Sequence, residues 1–150
     1  MAEIKWCKGI NPNTGQKGYI LLEDYVYFSK RYNRSKSLFQ PMWSDGATSF
    51  VDLGADNIMS RLFAWCRNRI HHMKGNKQTA WFFVHDAFCN DGEWDGGEKI
   101  SNWDASTVAG DILWAAGYRF WSIPIWWATW LFGGGAARKN GMWRVKTTTL

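Results

Sequence analysis

The run Thr79-Ala-Trp-Phe-Phe-Val-His-Asp-Ala-Phe-Cys89 predicts a helix and, with it, the core of this 150-residue chain. Wound as a helix, it places His85 on the same face as Trp81 and Phe88, with Asp86 about 100° around the axis. A histidine on such an apolar face must find a hydrogen-bond partner or lose its charge, and either outcome shifts its pKa. His85 is therefore either a satisfied core residue or a catalytic base.

Two further helices are predicted after this run, beyond an acidic, glycine-rich loop. Asp104 or Ser106 would cap the first of them, which carries Asp111. The second would begin near Ser122 and end at Gly133. If the helix that carries His85 packs antiparallel to the helix that carries Asp111, Asp111 can face His85 and fix its tautomer. The other ring nitrogen is then free to take a proton from water. Asp86 could then hold a hard cation beside that water.

The length indicates one domain, and we expect a mainly α fold with a small β-rich N-terminal part. Residues 1–50 read as turns and short strands, residues 56–135 as the helical core, and residues 136–150 as a basic tail. Within 56–135, a basic amphipathic helix is predicted from Asp56 to Met73.

The composition restricts the compartment and the partners. Three cysteines at irregular spacing are unsuited to a disulfide framework or a zinc site, which fits maturation in a reducing cytoplasm. The N-terminus has no apolar segment of signal-peptide length, so we expect synthesis in the host cytoplasm without a signal peptide. No recognised nucleic-acid module is present, and we expect no sequence-specific nucleic acid as a partner.

Aromatic residues are unusually frequent, with 12 Trp, 9 Phe and 5 Tyr, and many of the tryptophans lie near the C-terminus. Residues 112–132 are mostly apolar, but Gly117, Arg119 and Pro124 interrupt them, so two short helices fit better than one membrane span. We expect an exposed interface for a protein partner or a membrane surface. Its predicted members are Trp121, Trp126, Trp127 and Trp130.

The order His85-Asp86, then Asp111, resembles the His-Asp…Asp signature of secretory phospholipases of the A-two type and, more closely, its short version in parvovirus capsid proteins. The resemblance implies a calcium-assisted esterase on a phospholipase-like helical core. His85 would be the base, Asp86 a calcium ligand, and Asp111 the residue that orients the histidine. The upstream Tyr-x-Gly-x-Gly calcium loop of those enzymes has no counterpart here.

A wider resemblance runs from about Met42 to Gly135. Four segments follow the order of an uncharacterised family carried mainly by tailed phages and prophages, domain-of-unknown-function family 1353: Ser44-Asp-Gly-Ala-Thr-Ser49, Val84-His-Asp86, Gly110-Asp-Ile-Leu-Trp114 and Ala128-Thr-Trp-Leu-Phe-Gly-Gly134. The resemblance implies a phage origin and adds Asp45 to the candidate metal ligands.

The sequence thus favours a tailed-phage protein, incorporated in the particle or its tail or associated with host-cell penetration. Its partners would be other phage structural proteins, a membrane surface or further copies of itself. Two alternatives stay open: an active calcium-dependent lipid or ester hydrolase that uses His85, Asp86 and Asp111, and a host-takeover protein that is never packaged. The loop from Asp91 to Glu98 also resembles an EF-hand calcium loop, although a solvated acidic turn fits its sequence better.

Overall fold

A computed structural model describes residues 3–44, 58, 61, 62, 65 and 80–133 of the chain. Five strands come first: β1 (Trp6–Ile10), β2 (Lys17–Leu21), β3 (Tyr25–Ser29), β4 (Arg34–Leu38) and β5 (Trp43–Ser44). Within the described residues 80–133, three helices follow: α1 (Ala80–Asp91), α2 (Asn102–Ala115) and α3 (Arg119–Ala128), and α3 continues as a π-helical turn over Thr129–Gly133. The described part is therefore a mixed fold, with helices after a β-rich N-terminal region as expected.

The strands form two small antiparallel sheets. One has the order β1-β2-β5, and the other is the hairpin of β3 and β4. In β3, Tyr25, Tyr27 and Ser29 are buried while Val26 and Phe28 are exposed, the alternation of a strand with one covered face. β3 and β4 pair in register from Tyr25 opposite Leu38 to Ser29 opposite Arg34.

Helix α1 is the centre of the core. All five residues from Ala80 to Val84 have no exposed surface, so this end of the helix is buried all round and not on one face alone. A helix that is apolar on every side must be covered on every side. Its neighbours include α2, β4 and β5, and α2 in turn packs against α3.

Helix α2 begins one turn earlier than the sequence indicated. Ser101 is its N-cap, and the Ser101 hydroxyl accepts a hydrogen bond from the backbone N–H of Asp104 at 3.1 Å. Asp104 and Ser106, the predicted caps, therefore lie inside the helix. The break between α2 and α3 falls at Gly117, whose φ of 93° favours glycine. Two short helices were predicted for this region, and the structure confirms them.

Only a few residues of the predicted basic helix are described. Ile58, Arg61, Leu62 and Trp65 are helical and exposed, and the rest of Asp56–Met73 lies outside the described residues. Within the described residues, no helix is both long and apolar enough to cross a membrane.

Candidate functional site

His85 lies in the core, with 4% of its surface exposed. Among the described residues, its polar neighbours are on its own helix: Asp86 Oδ1 lies 3.9 Å from Nδ1, and Cys89 Sγ lies 3.7 Å from Nδ1 and 3.8 Å from Nε2. A sulfur on the axis of one ring N–H would be much closer to that nitrogen than to the other. The nearly equal distances place Sγ between the two nitrogens, off both N–H directions, so the contact is a poor hydrogen bond.

The charge state of His85 follows from two opposing influences. Burial lowers the pKa of the imidazole, but Cys89 and the carboxylate of Asp86 outweigh it and raise the pKa to about 10. The raised pKa favours the protonated imidazole, whereas a general base has to be free of its proton.

The side chain of Asp86 contacts the three-stranded sheet. The hydroxyl of Ser44, at the end of β5, donates to Asp86 Oδ2 at 2.5 Å. Strand β5 can lie close to β2 because Gly18 of β2 has no side chain. A Cβ at position 18 would lie 2.3 Å from the Ser44 carbonyl oxygen. Asp45, the other predicted metal ligand, lies outside the described residues. No group of three or more His, Cys, Asp or Glu side chains placed to hold a metal occurs within the described part of the chain.

Asp111 is paired with Arg31 and not with His85. Arg31 Nε donates to Oδ2 at 2.7 Å and Nη2 donates to Oδ1 at 2.9 Å, so both carboxylate oxygens are engaged. The predicted contact of His85 with Asp111 is therefore not a direct hydrogen bond, and contact through one water stays a prediction. The physical reason is that a guanidinium offers two parallel N–H groups, the geometry that a carboxylate binds best.

Asp111 belongs to a polar row along α2 that receives the β3–β4 hairpin. About two turns before it, Asp104 Oδ1 accepts a hydrogen bond from the Tyr32 hydroxyl at 2.8 Å. Burial and this contact raise the pKa of Tyr32 to about 12, while burial and the nearby Asp111 carboxylate raise the pKa of Tyr27 to about 12. Asp104 and Asp111 therefore attach the β3–β4 hairpin to α2, and we call these contacts the seam on α2.

The acidic loop after α1 is bound by the same hairpin. Lys36 Nζ, almost fully buried, donates to Asp91 Oδ2 at 2.5 Å and to the Glu93 carbonyl at 2.8 Å, and lies over the Phe88 ring. Asp95 accepts from both the backbone N–H and the hydroxyl of Ser37. Asp91 and Asp95 thus bind groups of β4, while the Glu93 carboxylate pairs with Lys99, so these carboxylates do not converge on one point.

The predicted interface tryptophans have divided roles. Trp126 and Trp130 stack at 5.9 Å and both pack edge-on against Trp103 of α2. Trp126 Nε1 also donates to Thr107 Oγ1 at 3.1 Å. These contacts join α3 to α2, so Trp126 and Trp130 are half-buried, as is Trp121. Of the four, only Trp127 is largely exposed, with 45% of its surface accessible.

The larger exposed surface includes Trp127 and three residues that were not predicted to belong to the interface. Phe120, Ile123, Trp127 and Leu131 are 74%, 59%, 45% and 51% exposed. Their spacing of three, four and four residues puts them on one side of α3, and we call them the α3 stripe. That spacing was visible in the sequence. It was missed because the tryptophans were treated as the interface by type and not by helical position.

Comparison with protein-family models, with curated proteins and with solved structures finds no significant match to this chain. The phage and phospholipase resemblances therefore rest on the sequence motifs alone.

Proposed function

We propose that this protein is a docking component of a tailed-phage particle or of its apparatus for host-cell penetration, and that it acts by binding and not by catalysis. The sequence motifs shared with the phage family support the phage origin. The observation that carries the docking role is the α3 stripe: four large apolar side chains exposed in a row on one short helix. Rows of this kind on soluble domains mark sites of association.

The surroundings of the His-Asp pair support a binding role over an esterase. A general base must be unprotonated and must reach the substrate, whereas His85 is buried and has a raised pKa. Asp111, which would orient it, is engaged by Arg31. On this proposal α1 and α2 form a phospholipase-like scaffold whose His-Asp pair is part of the core.

The test uses a phage whose genome encodes the chain. We expect mass spectrometry to detect the protein in purified particles. A particle carrying Phe120→Asp should retain much less of it than one carrying Phe39→Asp, because Phe39 is equally apolar and 62% exposed but lies outside the α3 stripe. Absence of the chain from purified particles would contradict the proposal and favour the host-takeover alternative.

The hydrolase alternative has its own test on the purified protein. Calcium-dependent release of fatty acid from phospholipid vesicles, lost in a His85→Gln protein that melts like the wild type, would show that the pair is catalytic. We expect no such release, because the histidine is buried and its raised pKa favours the protonated form.

A further inference from the structure

We propose that the α3 stripe binds the surface of a lipid bilayer that contains anionic lipids, with α3 lying in the plane of the headgroups. This inference rests on the proposed docking function and names its partner. It goes beyond that function because the stripe would dock on lipid and not on another protein of the particle.

The shape of α3 fits a helix that lies on a membrane. The stripe runs from Phe120 to Leu131, about 16 Å at the helical rise, which is half of what a bilayer core requires. The opposite side of α3 is held to the protein, since Ile125 and Ala128 are buried and Trp126 contacts α2. The helix thus offers one apolar side to the outside while the rest of it stays in the fold, as interfacial helices do.

The side chains of this region are those that the membrane interface favours. Trp127 and the half-buried Trp130 combine a large ring with an N–H, and such side chains concentrate where hydrocarbon meets water. Phe120, Ile123 and Leu131 supply purely apolar surface beside them. Trp65 brings a further exposed ring to the same region, because its ring centroid lies 5.3 Å from that of Trp121.

The charge of the region selects an anionic surface. From Ile112 to Gly133 the one charged residue is Arg119, and residues 134–150, which lie outside the described part of the chain, contain four Lys and Arg and no Asp or Glu. Arg119 is exposed at the start of α3, where its guanidinium lies over the Trp114 ring at 5.1 Å. The carboxylates of α2 are directed to the hairpin, where Asp104 and Asp111 bind Tyr32 and Arg31. Among the described residues, the α3 stripe thus has an exposed guanidinium beside it and no acidic side chain from Ile112 to Gly133, which is complementary to anionic headgroups.

A second exposed apolar group provides an internal comparison. Val26, Phe28 and Phe39 are 62%, 52% and 62% exposed on the β3–β4 side. Their neighbours in sequence carry both signs of charge, including Glu23, Asp24 and Lys30. This group therefore lacks the charge bias that would direct it to an anionic membrane, and Phe39 is a matched control for Phe120.

The experiment measures co-sedimentation of the full-length protein with vesicles of phosphatidylcholine containing phosphatidylglycerol, and with vesicles of phosphatidylcholine alone. We expect binding to the first at low salt and weaker binding to the second. Phe120→Asp should lower the partition coefficient at least about tenfold, while Phe39→Asp should leave it unchanged. Arg119→Gln should weaken binding to the anionic vesicles by about fivefold, while Lys30→Gln should have little effect.

Two outcomes would overturn the inference. One is the absence of binding to anionic vesicles by the folded wild type, and the other is equal loss in the Phe120→Asp and Phe39→Asp proteins. If the chain is still incorporated in particles through Phe120, the docking function stands and its partner is a protein. If vesicles are bound through Phe120 but particles lack the chain, the lipid inference stands and the particle component does not.

Discussion

At the scale of single residues, Gly18 tests how closely β5 packs on β2, because a methyl group at position 18 would have no space. Its Cβ would lie 2.3 Å from the Ser44 carbonyl oxygen and 2.6 Å from the Trp43 ring. Since one of these neighbours is backbone, the approach of β5 to β2 would have to be given up. We expect Gly18→Ala to lower the free energy of unfolding by about 1–3 kcal/mol, measured by urea denaturation.

Gly110 in α2 is the matched control for that change. A Cβ there would meet Trp126 at 3.5 and 3.6 Å, which is ordinary van der Waals contact. Gly110→Ala should therefore raise the free energy of unfolding by up to about 1 kcal/mol, the usual gain in helix propensity. A Gly18→Ala protein as stable as Gly110→Ala would show that β5 does not pack closely on β2.

His85 predicts a specific dependence of stability on pH. Its pKa is about 10 in the folded protein and about 6.5 when unfolded, so between these values the folded state holds a proton that the unfolded state has lost. The contribution of His85 to stability is thus complete below pH 6.5 and is lost as the pH rises towards 10. We expect urea denaturation across this range to show a decline in the wild type that exceeds the decline in His85→Gln by at least about 1 kcal/mol.

The comparison between the two proteins isolates His85, because Tyr27 and Tyr32, whose pKa values are also raised, are present in both. Parallel pH profiles for wild type and His85→Gln would mean that His85 is neutral in the core. The same result would remove one of the arguments against a catalytic base at this position.

At the scale of the elements, two of the contacts that hold the β3–β4 hairpin differ in strength. Lys36 is 4% exposed at its side chain and donates to two oxygens of the acidic loop, whereas Arg31 is 57% exposed where it meets Asp111. Lys36→Ala leaves a cavity and a carbonyl without its donor, and should cost about 2–4 kcal/mol of unfolding free energy. Arg31→Ala removes a solvent-screened pair and should cost about 1 kcal/mol or less. Thermal unfolding of the two variants shows which of them loses more stability.

A Lys36→Met protein controls for packing, since it keeps most of the side-chain volume. It should lose less stability than Lys36→Ala, because the partly exposed Asp91 carboxylate can be hydrated instead. If Arg31→Ala were the more damaging change, the seam on α2 and not the acidic loop would be the main attachment of the hairpin.

The helices were accessible from the sequence, and the hairpin was not. The run at residues 79–89 is apolar enough that burial and helix formation follow together, and α1 is found at Ala80–Asp91. The segment from Lys30 to Lys36 reads as a polar loop, yet Arg34–Lys36 begin β4. The pattern of side chains cannot predict this strand, because it is stabilised by partners far along the chain, among them Asp91 and Asp95.

In the candidate site, the burial of His85 could be predicted from the sequence, but the partner of Asp111 could not. The burial of His85 followed from its apolar helix face, but the upward direction of its pKa shift comes from Cys89 and Asp86, which outweigh burial. Asp111 was assigned to His85 because helix phase permits that pairing, but phase does not exclude a competing partner. Arg31, eighty residues away, supplies a better-matched donor, and only the tertiary structure brings it to α2.

At the scale of the whole molecule, the core and the α3 stripe should be separable by mutation. Phe120 and Ile123 are mostly solvent-exposed in the first turns of α3, so replacing both by Asp removes little buried surface. Aspartate near a helix N-terminus is also favoured by the helix dipole. We expect the Phe120→Asp/Ile123→Asp protein to unfold within about 1 kcal/mol of the wild type, a typical change for surface positions.

The same protein should differ from the wild type in association. The Phe120→Asp/Ile123→Asp protein should bind less of a hydrophobic dye than the wild type, and its sedimentation should depend less on protein concentration. Both effects are expected because the stripe is the apolar surface left uncovered on α3. A matched Val26→Asp/Phe39→Asp protein should retain both properties, since its changes fall on the hairpin side. A marked loss of stability in the Phe120→Asp/Ile123→Asp protein would instead mean that another part of the chain covers the stripe. The stripe would then be an internal contact, and the docking role would need a different surface.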